Sequence, residues 1–465
     1  MEMSKELKEY MEKLPEIKDI SIDISEPNSS VTIYEGDFII KNELFEILVS
    51  GFIKYDWLPN SGVHFYGKSF VELDILVKIV ESKSLIIIIS GVEFCKGFIT
   101  NTSYEDLHTD LYIEGIASKD VVYGDKTIAV NKLKFSIPNL RDFRGSVVKR
   151  TTKSNIKTST SRLVLENEKY IITIDKCHDY DKRQKSLIGK GGFHILYSGE
   201  LISKKNSIFY TDIDDIIGCL NIFLSFLNGR RTSALFIQGV FENDNIWCDY
   251  SSYYVDSYKA VNSWANRRNV NGIDKMWIKF SELWKDKDNR NFLTSIIHWY
   301  VESNGQVGSS EGSIVMAQTG LELIYNWWII ENKRLIVGKD SETITASNKI
   351  RLLLSQINID HSVPKSLNFL QEYITNGVNI IDAPEAIVQI RNAIVHSQEE
   401  KRKKLSEINS MAKYQALQLC IWYIEMSLLC ILEFDGKYEN RCSDVRSALE
   451  AEELVPWIKE GSKKI

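Results

Sequence analysis

The sequence predicts an α+β protein in two parts, a β-rich N-terminal domain, sandwich or barrel-like, followed by an all-α domain. Three observations carry this prediction. Between about residues 31 and 237, short runs rich in Ile, Val, Phe and Tyr are separated by polar turns. After about residue 257 the apolar residues recur at helical spacing. The 465-residue length accommodates two or three domains, each able to bury its own core, and 44% hydrophobic with 26% charged residues is ordinary globular composition.

In chain order, Val31–Tyr34, Leu44–Val49, Val71–Val77, Ser84–Ser90, Leu111–Ile116 and Tyr170–Ile174 read as strands, too short for helices. No repeat of 20–50 residues is visible, which argues against a propeller. Lys149–Arg162 is polar, basic and rich in Ser and Thr, and reads as a mobile surface loop. Asp212–Asn228 reads as one embedded amphipathic helix, capped by Thr211 or Asp212 and stopped by Gly229. Its acids Asp212, Asp214 and Asp215 fit helix-start chemistry better than a metal site. Beyond residue 257, helices are expected over Asn291–Ser303, Gly312–Asn332, Ala346–Gln356, Pro364–Thr375, Pro384–Gln398 and Lys404–Glu433. Asp382-Ala383-Pro384-Glu385 is a strong start signal, with a capping acid, a proline in the first turn and Glu385 three residues on.

The resulting partition is a β-rich domain over residues 1–256, a helical connector over 257–290 and a helical domain over 291–465. The net charge of −6 argues against a surface-wide grip on nucleic acid, so any such contact is local. Seven scattered cysteines without a CxxC pair indicate neither a disulfide framework nor a zinc site, and fit reduced thiols in a cytoplasm. The N-terminal residues do not read as a signal peptide, and Leu85–Ile89 is far too short to span a bilayer. Cytoplasmic location without membrane contact is the expectation.

Chemistry concentrates near the C-terminal end. Arg391 precedes His396 by five residues in Arg391-Asn392-Ala393-Ile394-Val395-His396. A histidine moves protons near neutral pH, and a guanidinium holds a phosphate and the charge that builds on it, which suits metal-free RNA cleavage. Five helical positions rotate by about 140° and rise by about 7.5 Å, so the two side chains do not share one narrow face. Asn392 and His396, four apart, do share a face, and the amide is positioned to orient the imidazole. Lys401-Arg402-Lys403-Lys404 follows, a run that can track a nucleic-acid backbone or form a solvated loop. Elsewhere, Gly189-Lys190-Gly191-Gly192 fits no phosphate-loop pattern and reads as a strand-connecting turn. His64, His108, His178 and His194 lack ligand spacing, and Trp327-Trp328 suits core packing.

These segments together resemble the HEPN superfamily, and within it the ApeA-like group of bacterial defence proteins. The resemblance rests on Ile297-His298-Trp299-Tyr300-Val301-Glu302-Ser303 and Gly320-Leu321-Glu322-Leu323-Ile324. It rests equally on the Arg391–His396 RxxxxH segment and on a tail of Gly436-Lys437-Tyr438-Glu439-Asn440-Arg441 with Glu453-Leu454-Val455-Pro456-Trp457. It spans about residues 292–457; a looser likeness, through Phe223–Gly229, extends into the ApeA-type N-terminal domain. The resemblance implies a HEPN helical bundle and a metal-independent, cofactor-free endoribonuclease acting as a homodimer, with two motif helices forming one cleft. It implies catalytic roles for Arg391 and His396, support from Asn392 and a weaker role for Glu322, whose alternative is a partly buried acid paired with a basic neighbour. RNA, with tRNA a candidate, is the implied substrate. The β-rich domain is implied to sense a phage-derived trigger or to restrain the nuclease in an abortive-infection or toxin-type system. The competing readings are a non-catalytic dimerisation or binding module, and a ligand-binding β domain with the helices as scaffold.

Overall fold

A computed structural model of the chain describes residues 5–458 apart from 83, 105–110, 119, 153–154, 206, 269, 306–308, 378, 397 and 444–451. His108 lies outside the described residues. The first part holds α1 (Lys5–Lys13), then β1 (Val31–Lys41), β2 (Glu46–Asp56), β3 (Gly62–Ser69), α2 (Leu73–Glu81), β4 (Leu85–Ile89), β5 (Val92–Tyr104) and β6 (Leu111–Ala117). The strands close into a barrel in the order β1-β2-β3-β6-β5-β4, so no edge is left unpaired. Alternation does the work: in β4 the pattern buried-intermediate-buried sends Leu85, Ile87 and Ile89 inward. The expected strand over Val71–Val77 is instead the start of α2, where Ile75 and Ile79 recur at helical spacing and turn inward.

The second part begins with β7 (Val122–Gly124), β8 (Lys132–Pro138), β9 (Ser146–Thr152), β10 (Asn155–Glu166) and β11 (Tyr170–Lys176). It continues with α3 (Tyr180–Lys190), β12 (Ile195–Ser203), α4 (Ile213–Asn228), β13 (Leu235–Phe241) and β14 (Asp244–Asp249). These form one eight-stranded antiparallel sheet, β7-β14-β13-β8-β12-β11-β10-β9. The polar Lys149–Arg162 stretch is not a loop. It supplies parts of β9 and β10, paired from Ser146↔Arg162 to Thr152↔Asn155, because its β-branched Thr residues suit a half-exposed ribbon. Gly189–Gly192 ends α3 rather than linking strands, with Gly191 and Gly192 at φ 70° and 79°. Asp212 makes no side-chain cap to α4, since a 3₁₀ turn over Tyr210–Asp212 leads into the helix.

The third part is helical: α5 (Ile273–Trp284), α6 (Lys287–Gly305), α7 (Ser310–Ile324), a π-helical stretch Tyr325–Asn332, α8 (Asp340–Thr343), α9 (Ala346–Gln356), α10 (Asn368–Asn376), α11 (Ala383–Val395), α12 (Glu399–Glu407) and α13 (Ser410–Ile431). A small hairpin, β15 (Lys437–Glu439) with β16 (Glu452–Leu454), closes it. The expected helix from Pro364 starts only at Asn368. The expected helix over Lys404–Glu433 is two, broken at Ile408-Asn409, where the Asn409 side chain accepts the Met411 N–H and caps α13. Helix α13 is long and apolar enough to cross a membrane by length and composition, yet 83% of its apolar window is buried inside the protein.

One core fills the barrel, and another runs without a break from the eight-stranded sheet through α4 into the helices. The stretch expected to connect the domains contributes to that second core through Ile273, Met276, Trp277 and Phe280 of α5. Barrel and sheet meet through aromatic rings, Trp57 stacked on Phe193 at 5.3 Å and Tyr55 edge-on to Phe236 at 5.0 Å. The sheet meets the helices at Gly229, the left-handed C-cap of α4 (φ 72°), where an added Cβ would lie 2.7 Å from the Asn262 carbonyl oxygen. Asn304 of α6 donates to the carbonyls of Gly229 and Asn262, both at 2.8 Å.

Beside that joint lies a buried ion pair. Arg441 grips Glu425 of α13 through Nε (2.8 Å) and Nη2 (2.5 Å), and both side chains are at most 2% exposed. Tyr300 donates to the same carboxylate at 2.8 Å, while Arg441 Nη1 reaches Asn304 and Gln418, each at 3.1 Å. Removing one partner strands a buried charge, so Arg441→Ala should destabilise by about 3–5 kcal/mol. Paired replacement by Arg441→Met with Glu425→Leu should recover most of the loss, as read by urea denaturation.

His194, 2% exposed, has its pKa lowered from 6.5 to about 4, by burial first and by the nearby Arg183 guanidinium second. The folded chain therefore keeps this ring neutral where an unfolded chain takes up a proton. Stability should fall as pH drops from about 6.5 towards 4, by up to about 3 kcal/mol at the acid end. In His194→Gln that part of the pH dependence should vanish, measured as the difference between the two unfolding curves across pH.

Candidate functional site

Helix α11 carries the Arg–His segment and is fixed at its entry as the sequence indicates. Asp382 caps it by accepting the Glu385 N–H at 3.0 Å, and Pro384 lies in the first turn. Arg351 of α9 adds a fork onto Asp382 at 2.6 and 2.8 Å and reaches Glu385 at 3.4 Å. Burial raises the Asp382 pKa, but the Arg351 bonds outweigh it and hold the carboxyl below the usual range. Gln318 of α7 donates to the Ile387 carbonyl at 2.7 Å, tying α7 to the middle of α11.

Between α7, α9 and α11 lies a cleft of about 110 Å³. Arg391 and Asn392 line it from α11, Gln318 and Glu322 from α7, and Lys349 from α9. Arg391 Nη1 donates to Asn392 Oδ1 at 3.3 Å. Glu322 accepts from Lys349 Nζ at 2.5 Å, its side chain 55% exposed and that of Lys349 17%. The paired-acid alternative for Glu322 is thus what the single chain displays. Immediately after Glu322, α7 widens into the π-helical turns, where Trp327 is buried and stacked on Phe292 at 3.9 Å.

His396 is elsewhere. Helix α11 ends at Val395, and His396 is its C-cap in extended conformation (φ −90°, ψ 112°), exposed and outside the cleft lining. Among the described residues, the bond from His396 to Asn392 is backbone, N–H to carbonyl at 3.1 Å. The expected amide–imidazole pairing is therefore absent among the described contacts, because the shared face exists only while the helix continues and the amide oxygen serves Arg391 instead.

The basic run Lys401–Lys404 lies on α12, not in a loop. Successive helical positions turn by about 100°, so four adjacent cations fan around the axis and do not line one groove. Lys403 pairs with Glu399 at 3.0 Å and Lys404 donates to Gln389 of α11 at 2.9 Å. Both lysines also line an open groove of about 660 Å³ between α10 and α12. Among the described residues, no group of three or more His, Cys, Asp or Glu is placed to hold a metal, and all seven cysteines are unbridged.

Residues 125–261 match the YopA central domain, and residues 286–453 match the YopA C-terminal domain. This chain carries the central and C-terminal domains of the YopA family. The two matched stretches coincide with the eight-stranded sheet and the helical part, and the barrel lies before both. The chain is also similar to the SPbeta prophage-derived uncharacterized protein YopA of Bacillus subtilis (strain 168), 27% identical over 447 residues, covering 94% of this chain and 97% of that one. No solved structure matches.

Because Asp382 both caps α11 and anchors Arg351, Asp382→Ala should cost about 1–3 kcal/mol. Asp382→Asn, which keeps the cap and loses the charge, should cost less than half of that in the same chemical denaturation series.

Proposed function

We propose that this protein is a metal-independent endoribonuclease of an anti-phage or toxin-type system, working as a homodimer through its helical domain. The observation that carries the reading is the placement of Arg391 and Asn392 on a cleft, with an exposed His396 ending the same helix. The RxxxxH segment and its flanking HEPN-like segments support it, as does a relative described as prophage-derived. The exposed imidazole and the cleft of one chain do not meet, so a second chain brings its own α11 alongside and completes the site. Val395, next to His396 and 43% exposed, fits a surface covered in such a pairing.

In the proposed reaction the ribose 2′-hydroxyl gives its proton to His396 and its oxygen attacks the adjacent phosphorus. The bond from phosphorus to the 5′-oxygen breaks, and that oxygen takes a proton from a second imidazole. Arg391 stabilises the charge on the five-coordinate phosphorus, and Asn392, already bonded to it, holds the guanidinium in place. Glu322 takes part only if Lys349 releases it. Lys403 and Lys404 contact the RNA backbone locally, at the groove beside α12. RNA, with tRNA a candidate, is the substrate, and the β-rich part responds to a phage-derived trigger. The single-chain placement of His396 outside the cleft favours one second reading, a HEPN-like module that binds without cutting.

Incubation of the full chain with total RNA should give products ending in 2′,3′-cyclic phosphate, unaffected by EDTA. Arg391→Ala and His396→Ala should each lower cleavage at least 100-fold with unchanged unfolding curves. Cleavage abolished by EDTA but kept by both variants would refute the mechanism, and RNA binding without cutting would establish the second reading.

A further inference from the structure

A second cluster of charged groups, sharing no residue with the lining of the Arg391 cleft, lies where the sheet meets the helical part. The loop after β8, residues 139–144, is stitched to the rest of that junction. The Arg141 N–H donates to Asn228 Oδ1 at 3.0 Å, its carbonyl accepts from Tyr197 at 2.7 Å, and the Arg144 N–H donates to the Arg267 carbonyl at 2.7 Å. Arg230 donates through Nη2 to the Asn139 carbonyl at 2.7 Å and lies 4.7 Å over the Tyr258 ring. Tyr180 packs edge-on against Tyr197, with ring centroids 5.5 Å apart.

This junction holds an unusual set of buried donors. Arg141 has a side chain 9% exposed, and Arg230, Tyr180 and Asn266 are each 6% exposed or less. Yet Arg141 Nε and Nη1, Arg230 Nε, the Tyr180 hydroxyl and Asn266 Nδ2 have no hydrogen-bond partner among the described residues. Buried polar groups are nearly always satisfied, and an orphan guanidinium N–H is among the costlier exceptions. Charge is unbalanced as well. Arg141 meets Glu439 only at 3.5 Å, and among the described residues no ion pair joins Arg230 to a carboxylate. Burial pushes the Arg230 pKa down to about 10 against the opposing pull of Tyr258 and Asp256, and Arg141 lowers it further; burial also lowers the Arg141 pKa, opposed by Glu439 and reinforced by Arg267.

We propose that this junction is a binding site for a compact phosphoryl oxyanion, held by Arg141, Arg230 and Arg267 with the Tyr180 hydroxyl and the Asn266 amide. Every orphan named is or can be a donor, and a phosphoryl group offers acceptors only. Water would satisfy the bonds but leave the guanidinium charges uncompensated, whereas a phosphoryl group does both. A cleft of about 790 Å³, lined by Asp142, Arg144, Lys176, Asp179, Tyr180 and Asp181, meets the junction at Tyr180. Arg267 is exposed, so replacing its side chain should cost the fold little.

The ion stands either free or at the end of a small phosphomonoester, and the two sources are separated by probe. Thermal unfolding of the full chain is followed with inorganic phosphate, with phenyl phosphate, and with sodium chloride at matched ionic strength. Phosphate or phenyl phosphate at 10 mM should raise Tm by about 2 °C or more above the chloride control, since a ligand of the native state stabilises by mass action. A response to both assigns a free-ion site, and a response to phenyl phosphate alone assigns an organic ligand. Arg267→Ala should weaken the apparent affinity at least tenfold, and Arg230→Gln should abolish the shift where it folds. Tm values that follow ionic strength alone, or a shift left intact in Arg267→Ala, would overturn the proposal.

Discussion

The Glu425–Arg441 pair is the constraint around which the rest of the molecule is arranged. Two charges at most 2% exposed are tolerable inside a protein only when their remaining bonding capacity is used, and here it is. Tyr300, Asn304 and Gln418 supply that bonding from two helices, while Asn304 reaches on to the Gly229 joint with the sheet. One network therefore sets the position of α13, the register of α6 against it, the path of the chain after α13 and the docking of the sheet. An apolar contact of equal area would hold these parts together but would not fix one geometry among several.

From that fixed frame the cleft follows. Helix α13, almost wholly buried, packs against α7, α10 and α11 and leaves their outer ends to form surfaces. Gln318 and the Arg351–Asp382 fork then set how α11 crosses α7 and α9, which decides that Arg391 and Asn392 face the cleft. His396 sits exposed past the last turn, outside the cleft lining.

Much of this was legible in the sequence, and the misses share a physical cause. Strands β4, β6 and β11 were visible because alternation and β-branched residues agree, and α4 and α9 because apolar spacing and end signals agree. Val71–Val77 misled because an apolar run of that length fits either period, and Lys149–Arg162 because polar Thr-rich ribbons look like loops until a neighbouring strand pairs with them. The break at Ile408-Asn409 was hidden by continuous helix-forming residues on both sides. For the candidate site, the Asp382 entry and the company of Arg391, Asn392 and Glu322 follow from local spacing and the family-like segments. The Arg141–Arg230 junction depends on contacts between residues far apart in sequence, which no local pattern encodes, and the end of α11 at Val395 carries no glycine or proline to announce it.

The central claim is that the ribose 2′-hydroxyl is the attacking group and that Arg391 and His396 serve it. It is tested most directly by mapping one cleavage site and replacing the nucleotide on its 5′ side with the 2′-deoxy form. The account predicts that cutting stops at that bond while neighbouring sites and RNA binding are retained. Undiminished cutting at the 2′-deoxy position would contradict it.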